Sequence, residues 1–133
     1  MDVAEVIDEL AIRRLLAEYC HLTDDGRFEA LVELFTEDGA FWFGDLGGVG
    51  RDTVRAWFEE NQPARLRGKH LMTNSVIDIA GGRATVTSDF LFVAFEDGRL
   101  APAMAGRYLD ELVRIDGRWL IARREAVQLR RPR

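Results

Sequence analysis

Residues 70–96 read HLMTNSVIDIAGGRATVTSDFLFVAFE, and the fold turns on them. Two extended runs, His70–Ala80 and Arg83–Glu96, flank Gly81-Gly82. Both runs are rich in β-branched and aromatic residues, and a two-glycine spacer between such runs signals a hairpin. Asp97-Gly98 and Asp116-Gly117 repeat the signal downstream. They bound two more runs, Arg99–Ile115 and Arg118–Gln128, so the second half reads as a meander of long antiparallel strands. Pro102 cannot donate to a ladder, which predicts a bend there, at an edge or a bulge.

Upstream the period changes. Val3, Val6, Ile7, Leu10, Ala11, Leu15, Tyr19 and Leu22 recur at threes and fours. Asp8, Glu9, Arg13, Arg14 and Glu18 fill the other face, predicting an amphipathic helix over 3–23. The helix stops at Asp24-Asp25-Gly26, with Gly26 suited to the left-handed position after the last turn. A second helix is expected over 28–35 and a short aromatic strand over 40–43. The stretch GDLGGVG (44–50) lacks the GxxxxGK[ST] spacing of a phosphate loop, so it reads as a flexible connection over a pocket mouth. A third helix begins at Arg51-Asp52-Thr53, with Asp52 as a plausible N-cap, and ends near Asn61-Gln62-Pro63. The expected fold is a single α+β domain over 1–133: a cone-shaped α+β barrel, three N-terminal helices packed on a strongly curved, mostly antiparallel sheet.

The formal net charge of −5 argues against a nucleic-acid partner, since the basic residues gather only at Arg123-Arg124 and at the C-terminal Arg130, Arg131 and Arg133. One cysteine, Cys20, excludes an internal disulfide and reads as a buried small hydrophobe. No apolar run approaches a membrane span, and the acidic start MDVAEVIDEL is unlike a signal peptide. These features lead to an expectation of a cytoplasmic protein without a membrane partner. Two histidines fifty residues apart and scattered acids form no metal-ligand motif, so neither metal nor other cofactor is expected.

Four pieces of the chain together are similar to a known family. They are Tyr19 with Asp24 five residues on, then Gly26-Arg27-Phe28-Glu29-Ala30-Leu31; Leu34-Phe35 with Glu37-Asp38-Gly39-Ala40; His70 with Thr73-Asn74; and Gly106-Arg107-Tyr108-Leu109-Asp110 leading to Asp116-Gly117-Arg118-Trp119 and Arg123-Arg124. In this order they resemble the SnoaL-like branch of the nuclear transport factor 2-like superfamily, with scytalone dehydratase, bile acid 7α-dehydratase and hexachlorocyclohexane dehydrochlorinase as relatives. The resemblance implies an acid/base dyad in which His70 transfers the proton and Asp24 orients its ring. It implies that Tyr19 polarises a carbonyl or holds a leaving group, and that Arg124 faces the pocket unless the register falls on Arg123. It also implies a homo-oligomer, dimer or trimer, formed through the sheet.

The departures narrow the chemistry. The second pocket histidine of scytalone dehydratase has no counterpart, and Tyr19 stands where the dehydrochlorinase pattern has lysine. The first strand lacks the aspartate of ketosteroid isomerases. The implied activity is a cofactor-independent lyase with dehydratase-like elimination, or an isomerase or cyclase, on a small, mostly apolar cyclic or polyketide-like substrate. The alternative is a noncatalytic small-ligand-binding or accessory subunit of the same fold. An epoxide hydrolase would need a clustered Asp-Arg-Asp, which the sequence does not assemble.

Read as residues alone, His70 also fits a solvated strand start, Tyr19 a core aromatic, and Arg124 an outward ion pair with Glu125 or Asp110. Candidate pocket walls are Trp42, Phe43, Phe58, Met72, Phe90, Phe92, Met104 and Tyr108. Alternation puts Phe90 and Phe92 on one face of their strand and Asp89, Leu91, Val93 and Phe95 on the other; either face could look inward.

Overall fold

The computed structural model describes residues 1–132. In chain order the elements are α1 (Val3–Asp24), α2 (Phe28–Val32), β1 (Phe35–Phe43), β2 (Leu46–Val49), α3 (Arg51–Asn61), a 3₁₀ turn (Ala64–Leu66), β3 (Lys69–Ala80), β4 (Arg83–Glu96), β5 (Arg99–Ile115) and β6 (Arg118–Gln128). The strands form one sheet in the order β2-β1-β6-β5-β4-β3. Every neighbouring pair is antiparallel except β1 and β6, which are parallel. The sheet is therefore mixed and open, with β2 and β3 as free edges, rather than a closed barrel. The helices pack on its inner face.

The hairpins follow their turn chemistry. Asp97-Gly98 has φ of 50° and 74°, and Asp116-Gly117 has 51° and 76°. Two successive positive φ values give the turn whose twist matches paired strands. Pro102 lies opposite Val93 beside a register shift, where β5 has outrun its pairing with β6, so its missing N–H costs the ladder nothing there.

Bulges decide which side chains face inward. In β3 the register shifts between Thr73 and Val76, with Asn74 at φ 54°. Before the shift His70 and Met72 point to the helices; after it Ile77 and Ile79 do. In β6 the shift at Ala122 lets both Ile121 and Arg124 face inward, although they differ in parity. An extra residue flips the alternation, because the side-chain period is two. On β4 the inward face carries Val86, Ser88, Phe90 and Phe92.

Four local expectations change. The second helix ends at Val32, not Phe35, because Leu34 carbonyl accepts from Ile121 N–H (2.8 Å) and Phe35 enters β1. Residues 44–50 are not a loose connection: Leu46–Val49 pairs with β1 as an edge strand, making Gly44-Asp45 a tight hairpin turn. The third helix follows this hairpin, and its N-cap is Gly50; Asp52 sits in the first turn, where its charge still suits the helix dipole. On α1, Val3, Ile7 and Leu10 are exposed, while Ile12, Leu15, Leu16, Tyr19, Cys20 and Thr23 are buried. Asp8, expected on the polar face, instead meets the sheet, accepting from Trp119 Nε1 (2.9 Å) and Arg114 (2.7 Å).

Candidate active site

Asp24 is the last residue of α1, and His70 is the second residue of β3. The helix stop delivers the carboxylate to the sheet edge. Its Oδ1 lies 2.6 Å from His70 Nδ1, and both oxygens accept from the His70 backbone N–H at 3.2 and 3.0 Å. One carboxylate thus holds ring and main chain together. The two side chains are only 10% and 5% exposed, so little water competes for these bonds. A carboxylate at a helix C-terminus meets the unfavourable end of the dipole, and these donors offset that cost. A carboxylate can only accept, so Nδ1 carries the proton, and in the neutral ring Nε2 presents its lone pair. The His70 ring leans on Phe92 with centroids 4.5 Å apart.

His70 borders a cavity of about 240 Å³ between the sheet and the helices. Phe41, Phe43, Trp57 and Phe58 form one wall, and Phe90, Phe92 and Met104 another. Tyr19 and Tyr108 also line it, with Leu46, Asn61 and Gln62 completing the boundary. The Asn61 amide nitrogen donates to the Trp57 carbonyl (2.8 Å). A second cleft of about 450 Å³, lined by Arg13, Cys20, His21 and Met72 among others, meets His70 from outside. A larger concavity, about 1280 Å³, lies by Thr36, Glu37, Arg51 and Arg83, away from the Asp24–His70 pair. Size alone does not mark the site; the buried, bonded titratable pair beside an apolar cavity does.

Behind the phenols sits Arg124. Its Nε and Nη2 bond Asp110 at 2.7 and 2.8 Å, in a fork with both side chains fully buried. Its guanidinium carbon is 4.2 Å from the Tyr19 ring centroid and 3.8 Å from that of Tyr108. Nη2 also approaches Met72 sulfur (3.5 Å), while Nη1 is buried without a partner. Burial works against the Arg124 charge, but the Asp110 carboxylate outweighs it and holds the guanidinium above its ordinary range. Burial pushes both phenols above the usual tyrosine range; Arg124 opposes this without reversing it. Arg124 favours the Tyr19 phenolate electrostatically. Burial also pushes the Cys20 thiol up to about 11.

The placement of the candidate residues is mixed. Asp24, His70 and Tyr19 come together with Phe43, Phe58, Phe90, Phe92, Met104 and Tyr108. Trp42 does not line the cavity, because alternation along β1 turns Phe41 and Phe43 inward and Trp42 outward. Met72 faces Arg124 and the outer cleft instead. Arg124 supports the wall from behind rather than lining it. Arg123 is the outward one of the pair, bonded to Glu125 at 3.1 Å. Phe41, Trp57, Asn61 and Gln62 were not legible as lining. Trp57 beside Phe58 on one short helix was the one available signal, two large aromatics that cannot both be covered by a single turn.

A model of the SnoaL-like domain matches residues 4–125. The chain belongs to the SnoaL-like domain family. Solved structures share the fold at modest identity. A Mycobacterium tuberculosis protein of unknown function is 31% identical with a TM-score of 0.90, over 96% of this chain and 75% of its own. A candidate scytalone dehydratase of Novosphingobium aromaticivorans is 28% identical with a TM-score of 0.85, over 98% of this chain and 89% of its own. A Catenulispora acidiphila structure in complex with S-DNPA is 25% identical with a TM-score of 0.80, over 91% and 94% of the two chains.

Proposed function

We propose that this SnoaL-like chain is a cofactor-independent lyase of dehydratase type, or an isomerase or cyclase using the same proton transfer, on a small, mostly apolar ring-bearing or polyketide-like substrate. The observation that carries the reading is the 2.6 Å contact between Asp24 and His70 Nδ1, with the ring bordering an apolar cavity. Nε2 of His70 takes a carbon-bound proton next to a carbonyl. The electron pair moves into a new C=C bond, and the carbonyl oxygen gains charge. Asp24 stabilises the imidazolium formed, and Tyr19 donates to the oxygen. In elimination the β-hydroxyl then leaves with the proton from His70, as water; in isomerisation that proton returns to another carbon. A positioned base of this kind contributes about 10²–10⁴-fold. Histidine suits the step because its unperturbed pKa lies near neutrality. The likeness to a candidate scytalone dehydratase supports the elimination reading.

The test is a screen of cyclic β-hydroxy ketones for loss of water, repeated with His70→Ala and Asp24→Asn. Undiminished turnover in both variants would sink the mechanism. The outer sheet face exposes Leu71, Val76, Leu109 and Val127. We further propose that this face closes a homo-oligomer, dimer or trimer, which light scattering would show as a multiple of the 15.1 kDa chain.

A further inference from the structure

We propose that the first three turns of α1 are a self-pairing surface, on which a second copy of this chain docks its own α1 antiparallel, across a two-fold axis near Val6 and Ile7. Val3, Ile7 and Leu10 are 76%, 60% and 61% exposed, and Val6 is 43% exposed. Glu5, Asp8 and Glu9 are the half-buried residues of the same turns. An amphipathic helix on a core ordinarily runs the other way, with its acids outward. Here Trp119 Nε1 and Arg114 draw Asp8 to the sheet, and the Asp2 backbone N–H holds the Glu5 carboxylate in the capping box at 3.0 Å. These bonds fix the helix with its apolar stripe outward. At 3.6 residues per turn, positions 3, 6, 7 and 10 share one side, opposite the buried Ile12, Leu15, Leu16 and Tyr19. The stripe therefore lies on the far side of α1 from the sheet. It is separate from the outer sheet face and independent of the Asp24–His70 pair.

Charge selects the occupant and its direction. Asp2 stands at the start of the stripe and Arg13 about three turns later, within about 20° of it around the helix axis. Both thus lie on one flank. An antiparallel two-fold keeps that flank on the same side in both copies, so Arg13 of each meets Asp2 of the other. Val3 then faces Leu10, Val6 faces Ile7, and the helix dipoles oppose. Parallel pairing would instead set Arg13 against Arg13 and Asp2 against Asp2. The present partner of Arg13 is Glu9 at 3.6 Å, a partly exposed pair that costs little to exchange. A lipid surface is disfavoured, because the stripe carries no aromatic residue and begins among Asp2, Glu5 and Glu9. Four side chains from each copy are few beside the roughly 20–30 residues a side of a standard interface, so the pairing is reversible and grows with concentration.

The test places a cysteine at the expected axis. In the full chain Ile7→Cys should form an intermolecular disulfide under mild oxidation. Ala17→Cys, exposed on the same side of α1, should not, because antiparallel pairing holds its two copies about 30 Å apart. Cys20 is buried and stays out of the reaction. Adding Leu10→Lys to Ile7→Cys should slow crosslinking by at least about tenfold, since a charge would enter the apolar contact. Adding Arg13→Glu should slow it as well. Both positions are exposed, so the fold survives either change, which circular dichroism checks. An oligomer closed by the sheet face leaves the Ile7 positions apart, so the two assemblies are read separately. No disulfide at Ile7→Cys, equal crosslinking at Ala17→Cys, or a rate indifferent to Leu10→Lys overturns the proposal. So does flotation of the wild-type chain with phosphatidylcholine vesicles that Leu10→Lys abolishes while Ile7→Cys stays unlinked, which would assign the stripe to lipid.

Discussion

Asp110→Asn is the substitution whose cost the structure defines best. Asp110 neutralises Arg124 through two short bonds, 2.7 and 2.8 Å, with both side chains fully buried. The amide keeps the shape but removes the charge and one acceptor. Arg124 cannot shed its proton, so a full positive charge remains in a fully buried site. The two tyrosine rings over the guanidinium contribute roughly 0.5–2 kcal/mol each, but they do so with or without Asp110 and cannot replace it. Breaking a buried pair from one side costs about 3–5 kcal/mol. With a urea slope on the order of 1–3 kcal/mol per molar, the unfolding midpoint should fall by at least about 1 M. The matched control is Asp110→Leu with Arg124→Met, which removes both charges and should recover most of the loss. A cost for Asp110→Asn below about 1 kcal/mol, the range of exposed pairs, would refute the burial argument and the support it gives the tyrosines.

Other outcomes follow from neighbouring features. At Gly106 an added Cβ would lie 2.4 Å from the Val127 carbonyl oxygen and 2.8 Å from the Phe90 ring, so Gly106→Ala should destabilise by about 1–3 kcal/mol and disturb the Phe90–Tyr108 stack; an unchanged melting temperature would contradict this. Cys20, buried and with its thiol pushed up to about 11, should resist alkylation by iodoacetamide at neutral pH until the chain unfolds. Both phenols are raised in the folded chain, so their contribution to stability is full below the unfolded value, near pH 10, and is lost as pH rises toward the folded values. Absorbance titration should therefore show no phenolate until alkaline unfolding begins, and reversible ionisation of a folded tyrosine near pH 10 would count against their burial.

Most of the architecture was legible because the strand ends carry their own turn chemistry. Asp97-Gly98 and Asp116-Gly117 bound β4, β5 and β6 at the residues expected. What alternation could not provide was the inward face. The bulges at Asn74 and Ala122 each reverse parity, so no strict period of two places both Ile79 and His70, or both Ile121 and Arg124, inside. That is why Arg123 and Arg124 were hard to separate; Trp42 was misplaced for a different reason, since it and Phe43 are neighbours on β1 and face opposite sides. The β1–β6 pairing joins residues some eighty positions apart, and it alone explains why Phe35 leaves its helical pattern for the sheet. The Asp24 and His70 candidates rested on motif likeness; their mutual geometry depends on a helix end meeting a sheet edge, which local sequence does not encode.

The central claim is that His70, held by Asp24, removes a proton next to a carbonyl in the cavity. Exchange of the α-protons of 2-tetralone in D₂O, followed by proton NMR, reads that step without needing the natural substrate. The account predicts exchange accelerated well above the buffer rate by the wild-type chain. With Asp24→Asn the acceleration should fall by about 10³-fold, the equivalent of roughly 4 kcal/mol of lost charge interaction. With His70→Ala it should vanish. Exchange no faster than buffer with the wild-type chain, or equally fast with both folded variants, would contradict it.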